Sequence, residues 1–395
     1  MRSGGLLLSV IILVGCSRMP ASSLPATSQT SQPTPSSSNF QTLHIFSKLQ
    51  NGIVPVGTLL DLSGRFYGTT NFGGDAGKGC TPGPGCGTIF DFNSVKQKVF
   101  YRFTGPASGA RPYAGLIDVN GTLYGTTQIG GHKNLGAVFA ITTSGSEKMI
   151  YSFSGKDGND PRANLTSVND ALYGTTYYGG KGGTGTVFAV STSGAEKVLH
   201  SFKGGADGAL PLGALIDVNN VLYGTTSSGG TSNDGTVFEI SPTGAGYSVL
   251  YNFKGGTDGA YPFAGLTAWK GALYGTTQQG GEHNKGTVFV ITTAGSERVL
   301  HSFGGKMDGT KPFAGITPAK GKLYGTTAYG GSKNDGTIYT ITPSGAEQVL
   351  HDFTGAPNGR VPYANLTAVR GILYGTTVWG GVGGAGLGTV FKFTP

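Results

Sequence analysis

The chain has 395 residues, of which 72 are glycine; only 12% are charged, yet 10% are aromatic. This glycine content excludes a mainly helical protein, because each glycine inside a helix costs about 1 kcal/mol, and the aromatic content excludes a disordered chain. The net charge of +8 comes from scattered lysines and arginines rather than from a basic run, so we expect no nucleic-acid-binding face.

The N-terminal residues predict an export signal that ends at a lipid-attachment site. Arg2 precedes an apolar run over residues 6–14, which is shorter than the roughly 20 residues that a membrane-spanning helix needs. The run ends in Leu-Val-Gly-Cys at residues 13–16, which resembles the lipobox of bacterial lipoproteins. The resemblance implies that residues 1–15 are a cleaved signal peptide and that acyl chains on Cys16 anchor the mature chain to a membrane. The alternative is an ordinary signal peptide with an incidental cysteine.

Residues 16–39 predict a flexible tether that follows this anchor. The segment is rich in serine, threonine and proline, and it cannot bury enough apolar surface to offset its ordering entropy. Ser17 follows the cysteine in place of the aspartate that often marks retention in the inner membrane. For a Gram-negative source, the resemblance therefore implies a lipid-anchored protein of the cell envelope, in the outer membrane or at the cell surface.

Two further cysteines predict a disulfide. Cys80 and Cys86 bracket a Thr-Pro-Gly-Pro-Gly stretch, whose residue types favour a turn. In an exported protein we expect these cysteines to be joined, with two free thiols as the alternative. Two cysteines alone supply too few ligands for a structural zinc site.

From residue 40 onward the sequence repeats one unit seven times. The clearest marker is Leu-Tyr-Gly-Thr-Thr, with Phe replacing Leu in the first copy; its tyrosines are Tyr67, Tyr124, Tyr173, Tyr223, Tyr274, Tyr324 and Tyr374. Each unit contains four short segments that are rich in β-branched and aromatic residues and are bounded by Gly, Pro, Asn or Asp, which is typical of strands. Four strands per unit of about fifty residues predict an all-β protein, a seven-bladed β-propeller of four-stranded antiparallel blades over residues 40–395.

The order of the strands predicts how the ring closes. We place the Pro-x-x-Gly-Leu segment innermost, because small residues fit a crowded axis, and the Val-Leu-His-Ser-Phe segment outermost. The chain then begins with an outermost strand and ends with a third strand. We therefore expect residues 41–47 to complete the blade made by residues 361–394, which removes an exposed edge. The alternative phasing has seven sequential blades and no shared one.

The repeated pattern is similar to a known family. Leu-Tyr-Gly-Thr-Thr-x-x-Gly-Gly, followed by Gly-Thr-Val-Phe and Gly-x-Glu-x-Val-Leu-x-x-Phe, closely resembles the GloVer tandem repeat of bacterial exported proteins. The Gly-Gly pair also resembles kelch blades, although the kelch tryptophan is missing. The GloVer resemblance covers residues 40–395 and implies an anchored envelope protein, but it implies no established activity.

The position before each Gly-Gly pair supplies the candidate ligand residues. Four of its seven occupants are aromatic: Phe72, Tyr178, Tyr329 and Trp379. Aromatic planes on a rigid rim can stack on sugars, so we expect a ligand rim on the face that carries the Gly-Gly loops. The alternative is that these rings only fill the blade ends. We expect Trp379 to be the main anchor and its truncation to leave folding intact, because Ser228 and Gln279 occupy the same position elsewhere.

No pattern predicts a catalytic or metal site. The aspartates that precede glycine are typical of tight turns; they are Asp157, Asp207, Asp258 and Asp308. The histidines of the outermost segments share a position with tyrosine, which is typical of packing with a polar tip; they are His200, His301 and His351. We expect no cofactor and a monomer.

The sequence favours a binding or scaffolding module on the cell envelope. Its partners would be the membrane, through Cys16, and a glycan or surface-protein ligand. One alternative is a secreted polysaccharide-active lyase or hydrolase, and hydrolysis would need two carboxylates within about 10 Å. The other alternative is a purely structural surface protein. Acidic residues are scarce outside turns and the repeated position of Glu147, Glu196, Glu297 and Glu347, so binding is favoured over catalysis.

Overall fold

The computed structural model describes residues 39–74, 80, 84–93, 96–304, 307–381 and 386–395. The predicted signal peptide, Cys16 and all of the tether except Asn39 lie outside these residues. The described part is built from strands, with two short 3-10 helices at Leu49–Asn51 and Gly205–Asp207. It contains no helix with the length and apolar character needed to cross a membrane.

Seven antiparallel sheets make the blades of a β-propeller, as the repeat predicts. Blade 1 comprises β2 (Leu60–Leu62), β3 (Arg65–Thr70), β4 (Thr88–Asn93) and β5 (Lys96–Arg102). Blade 2 comprises β6 (Ile117–Val119), β7 (Thr122–Thr127), β8 (Ala137–Thr142) and β9 (Glu147–Ser152). Blade 3 comprises β10 (Thr166–Val168), β11 (Ala171–Thr176), β12 (Thr186–Ser191) and β13 (Glu196–Ser201). Blade 4 comprises β14 (Ile216–Val218), β15 (Val221–Thr226), β16 (Thr236–Ile240) and β17 (Ser248–Asn252).

The last three blades have the same order, with additional short strands. Blade 5 comprises β18 (Gly259–Pro262), β19 (Thr267–Trp269), β20 (Ala272–Gly280), β21 (Thr287–Ile291) and β22 (Glu297–Ser302). Blade 6 comprises β23 (Gly309–Thr310), β24 (Thr317–Ala319), β25 (Lys322–Thr327), β26 (Tyr329–Gly330), β27 (Thr337–Ile341) and β28 (Glu347–Asp352). Blade 7 comprises β29 (Arg360–Pro362), β30 (Thr367–Val369), β31 (Ile372–Trp379), β32 (Thr389–Phe393) and, from the start of the chain, β1 (Phe40–Ile45).

The ring is closed by the N-terminal strand, which confirms the predicted phasing. β1 pairs antiparallel with β32, so that Phe40 lies opposite Phe393 and Ile45 opposite Thr389. Phe46, directly after β1, is 1% exposed and packs in a cluster with Phe90 of blade 1. The first and last strands are therefore joined by a hydrogen-bonded ladder and by apolar contacts.

The innermost strand is in the expected place, but it is not continuous. In blade 5, β18 and β19 pair with opposite ends of β20, and residues 263–266 arch between them. The arch lies where neighbouring inner segments meet at the axis. A side chain on Gly265 would collide with the backbone of Ala214 in blade 4. Small residues are therefore needed at the axis, as the sequence suggests, but this close approach also interrupts the strand.

The Leu-Tyr-Gly-Thr-Thr motif joins strands and blades through its side chains. In blade 5, Gly275 leaves room for the ring of Phe289 on the neighbouring strand. Thr276 Oγ1 donates a hydrogen bond of 2.8 Å to the carbonyl of Ala314 in blade 6. Thr277 Oγ1 lies 2.8 Å from Thr287 Oγ1 across the same sheet. One motif thus secures both the blade and its contact with the next blade.

The hydrophobic core is divided among the interfaces between successive blades. In one cluster, Tyr274 and Phe303 of blade 5 pack with Ile316, Leu323 and Tyr339 of blade 6. Equivalent clusters recur around the ring. Both faces of each sheet are consequently buried, which explains why the strand segments lack a clear alternation of apolar and polar residues.

Candidate functional site at the axial mouth

The loops that precede the inner strands and the loops that contain Gly-Gly share one end of the propeller. Gly281 N–H donates to the carbonyl of Asp258 at 2.7 Å, and Gly331 N–H donates to the carbonyl of Asp308 at 3.0 Å. We call this end the loop face. It is the face on which the sequence places the ligand rim.

On the loop face, one repeated position that is never glycine has a left-handed backbone in all seven blades. Each of these seven residues directly precedes the proline of an inner segment, and φ lies between 53° and 61°; they are Val54, Arg111, Asp160, Leu210, Tyr261, Lys311 and Val361. Such a conformation is unfavourable for residues with a side chain, and most of all for the β-branched valines. We call these seven positions the latch residues.

Hydrogen bonds to the preceding blade hold the latch residues in this conformation. The N–H of Tyr261 donates to the carbonyl of Asp234 at 2.8 Å, and the N–H of Lys311 donates to the carbonyl of Lys285 at 2.8 Å. Val54 makes the equivalent bond to Leu387 across the ring closure, at 2.9 Å. These bonds use only backbone atoms, so the fold leaves the latch side chains free to differ between blades.

The residues that follow the same prolines surround a cavity on the axis of about 110 Å³. They form a second ring of seven: Val56, Tyr113, Arg162, Leu212, Phe263, Phe313 and Tyr363. The cavity is too small for a sugar, and one proline separates each residue of this ring from a latch residue on the loop face. We call the latch residues together with this second ring the axial mouth.

Aromatic contacts stiffen the second ring of the axial mouth. Tyr113 O–H donates to Tyr363 Oη at 2.5 Å, and the ring of Phe313 stacks on Tyr363 with centroids 4.6 Å apart. Phe263 meets both Phe313 and Tyr363 edge-on. Burial raises the pKa of Tyr113 to about 12, so its phenol is neutral at physiological pH and serves as a hydrogen-bonding group rather than as a base.

Two arginines lie against aromatic rings on the blade 1 to blade 3 side of the mouth. Arg162 donates to Asp160 Oδ2 from Nε at 3.0 Å and from Nη2 at 2.6 Å, and its guanidinium lies 4.2 Å from the centroid of Tyr177. Burial lowers the pKa of Arg162, but the bonds to Asp160 more than offset this and raise it overall. Arg111 lies 5.3 Å from the centroid of Phe72. Both side chains remain cationic in this environment.

The predicted disulfide is present and lies next to one of these arginines. Cys80 and Cys86 are bonded and fully buried. The carbonyl of Cys86 accepts the latch hydrogen bond from Arg111 N–H at 2.7 Å. Residues 75–79 and 81–83 of the same insertion lie outside the described residues. The disulfide therefore holds Cys86, whose carbonyl oxygen binds the N–H of Arg111.

The four predicted rim aromatics lie on the loop face, each opposite the residue that precedes a latch residue. The pairs are Phe72 with Ile53, Tyr178 with Asn159, Tyr329 with Thr310, and Trp379 with Arg360. Phe72 and Trp379 both pack against a buried cluster that includes Val54 and Val378, whereas Tyr178 is 38% exposed. The structure thus brings two of the four together in a cluster, and the half-buried Trp379 also contributes to packing.

Sequence reasoning missed the axial mouth itself. Arg111, Tyr113, Asp160 and Arg162 flank the repeated prolines, where the seven units differ widely in chemical type. That variation around a constant proline is a signal that could have identified them. Their convergence, however, depends on residues from successive repeats meeting at the axis, which the spacing within one repeat does not reveal.

The fold and the site define a seven-bladed β-propeller that carries variable side chains on a repeated backbone frame at one end of its axis. A family model described as the Gloeobacter/Verrucomicrobia repeat matches residues 81–272 and 256–395. The chain therefore belongs to this repeat family, as the resemblance of its motifs implies. No curated protein matches the sequence significantly.

Several solved structures share the architecture at low sequence identity. Virginiamycin B lyase from Staphylococcus aureus has a TM-score of 0.61 and 14% identity, over 90% of this chain and 99% of that chain. A streptogramin B lyase has a TM-score of 0.59 and 16% identity, over 89% and 96%. An oligogalacturonate lyase has a TM-score of 0.52 and 11% identity, over 91% of both chains. At these identities the likeness establishes the fold alone.

Proposed function

We propose that the protein is an envelope-anchored binding propeller and that its axial mouth binds an acidic glycan. The set of latch residues supports this proposal most directly. Their backbone N–H groups bind the preceding blade, so their side chains are not needed for this contact and can differ between blades to suit a ligand. Aromatic faces next to guanidinium groups suit a sugar ring that carries a negative charge. Exposed Lys311 and Arg360 add positive charge around the same mouth.

The proposed anchor is the set of acyl chains on Cys16. Two or more chains hold a protein on a membrane stably, whereas one chain does so only marginally. Changing Cys16→Ser should release the protein from the membrane fraction or leave an uncleaved precursor, which fractionation and mass spectrometry would detect. Unchanged fractionation and unchanged mass would rule out the anchor.

The binding proposal is tested by presenting the purified protein to a panel of neutral and acidic oligosaccharides. The ring of Tyr178 contacts Tyr177, the ring beside Arg162, with centroids 4.4 Å apart. Arg111→Leu and Tyr178→Ser copy side chains that the chain itself has at the equivalent positions, Leu210 and Ser228, so both variants should fold. Each should weaken binding of an acidic saccharide roughly tenfold, or by about 1.4 kcal/mol. Lys322→Ala, at the opposite end of its blade, is the matched control. Equal affinity in all three variants would overturn the assignment.

A polysaccharide-active enzyme remains the second candidate. Three proteins of the same architecture carry lyase names, although this likeness supports only the fold. The same assay separates the two ideas, because a lyase would cleave a bound uronate-containing saccharide and a binding module would return it intact.

A further inference from the structure

Neighbouring blades meet along grooves that are lined by three repeated positions. The first position lies near the end of an outermost strand, the second is the loop residue before Gly, and the third begins the outermost strand of the next blade. Between blades 4 and 5, Tyr251 O–H donates to Asp258 Oδ2 at 2.9 Å, and Glu297 lies beside this pair. The aspartate and the glutamate thus converge, although they are far apart in the sequence.

Among the described residues, the groove between blades 5 and 6 alone combines a histidine with both carboxylates. His301 Nε2 lies 3.1 Å from Asp308 Oδ2. One ligand atom from each of His301, Asp308 and Glu347 lies within 4.8 Å of the other two. Small side-chain rotations would bring the three atoms to the spacing around a single metal ion, whose bonds to nitrogen and oxygen are about 2.0–2.2 Å long.

The geometry points to a metal site here: we propose that His301, Asp308 and Glu347 bind one divalent transition-metal ion of the Zn²⁺ type. One imidazole and two carboxylates form a borderline donor set that suits such ions, and three protein ligands leave room for water. His301 and Asp308 belong to blade 5 and the loop that follows it, whereas Glu347 belongs to blade 6. The ion would therefore join two blades.

The local electrostatics support a cation at this place. Glu347 Oε1 is buried and has no hydrogen-bond partner among the described residues. The carboxylates of Asp308 and Glu347 each place an oxygen within 4.8 Å of the other, so a positive charge between them is favourable. A metal ion supplies this charge.

Two other grooves show what happens when one ligand is replaced. Between blades 4 and 5, tyrosine takes the place of histidine, beside Asp258 and Glu297. Between blades 3 and 4, His200 and Asp207 are retained, but Tyr247 takes the place of the glutamate and stacks on His200 with centroids 3.6 Å apart. The propeller therefore accommodates both substitutions, and each groove supplies a variant that should fold.

The test is calorimetric titration of Zn²⁺ into the untagged full chain after treatment with EDTA. The wild type should bind one equivalent, and saturating Zn²⁺ should raise its melting temperature. His301→Tyr recreates the groove of blades 4 and 5. It should bind Zn²⁺ at least 10–100-fold more weakly, because losing a ligand costs more than losing a residue that only orients a ligand. Glu347→Gln should have the same effect.

His200→Tyr is the matched control, because it removes a histidine from the groove that has no glutamate. It should bind Zn²⁺ like the wild type. The proposal is overturned if the wild type binds no Zn²⁺, or if His301→Tyr binds it with unchanged stoichiometry and affinity. Neither result affects the proposal for the axial mouth, which lies on different residues.

Discussion

A repeated pair of threonines satisfies one buried hydroxyl group in most of the blades. In six blades, the last threonine of the motif lies 2.7–2.8 Å from a threonine on the next strand. In blade 2 that partner is Ala137, and the buried Thr127 Oγ1 has no hydrogen-bond partner among the described residues. An unsatisfied buried hydroxyl costs about 1–3 kcal/mol. Blade 2 therefore contains a local defect that a single substitution can remove.

Changing Ala137→Thr should stabilise the protein by about 1 kcal/mol, because it restores the missing hydrogen bond. The six other blades show that the site accommodates a threonine. The free energy of unfolding, measured by urea denaturation, checks this. As the opposite control, Thr186→Ala in blade 3 removes the hydrogen bond between the two threonine hydroxyls, while Thr176 Oγ1 keeps its bond to the carbonyl of Tyr178. This variant should destabilise the protein by about 1 kcal/mol, the usual net worth of one hydrogen bond. A loss of stability in Ala137→Thr would contradict this account.

At the scale of strands, the glutamate that begins an outermost strand lies in surroundings that disfavour its negative charge. Burial and a nearby aspartate raise the pKa of both Glu196 and Glu297 to about 7. Between pH 4.5 and 7 the folded protein therefore holds protons that the unfolded chain has lost. This contribution to stability is complete below pH 4.5 and is lost as the pH rises through about 7.

Changing Glu297→Gln should therefore stabilise the protein at pH 8 and have little effect at pH 5. The expected gain at pH 8 is on the order of 1 kcal/mol, because solvent screens a half-buried pair. Burial lowers the pKa of His351 to about 4, which acts in the opposite direction, so the measured quantity is the difference between variant and wild type in denaturant unfolding. Glu282→Gln, on an exposed loop, is the control. A difference that does not change with pH would refute the prediction.

The sequence predicts the strands well because their signals are local. Gly, Pro and Asp bound segments of β-branched and aromatic residues, and the order of these segments fixes the shared blade. The features that it does not predict arise between repeats. A residue before proline ordinarily favours an extended backbone, yet Tyr261 is left-handed because its N–H reaches the preceding blade. Asp258 and Glu297 likewise meet only when two blades pack together. Neither the axial mouth nor the grooves can therefore be predicted from the sequence of a single repeat.

At the scale of the whole ring, the decisive feature is the pairing of the first strand, β1, with the last strand, β32. Phe40 stacks on His351 with centroids 3.9 Å apart and on Phe391 at 5.3 Å. Phe46 meets Phe90 of blade 1 edge-on at 5.1 Å. The first strand thus fills the interface on either side of blade 7 and covers the edge of β32. A propeller without it would keep seven inner segments, but it would have an open edge and two incomplete cores.

Deleting residues 39–47 should consequently destabilise the propeller far more than deleting residues 17–38, which lie outside the described ring. A milder form of the same test is Phe46→Ala, which should cost about 3–5 kcal/mol because the side chain is fully buried. Thermal and urea unfolding of the three variants beside the wild type check the order. The 39–47 deletion is expected to melt at a much lower temperature or to aggregate through its exposed edge. Equal melting temperatures for the two deletions would show that the ring holds together without its N-terminal strand.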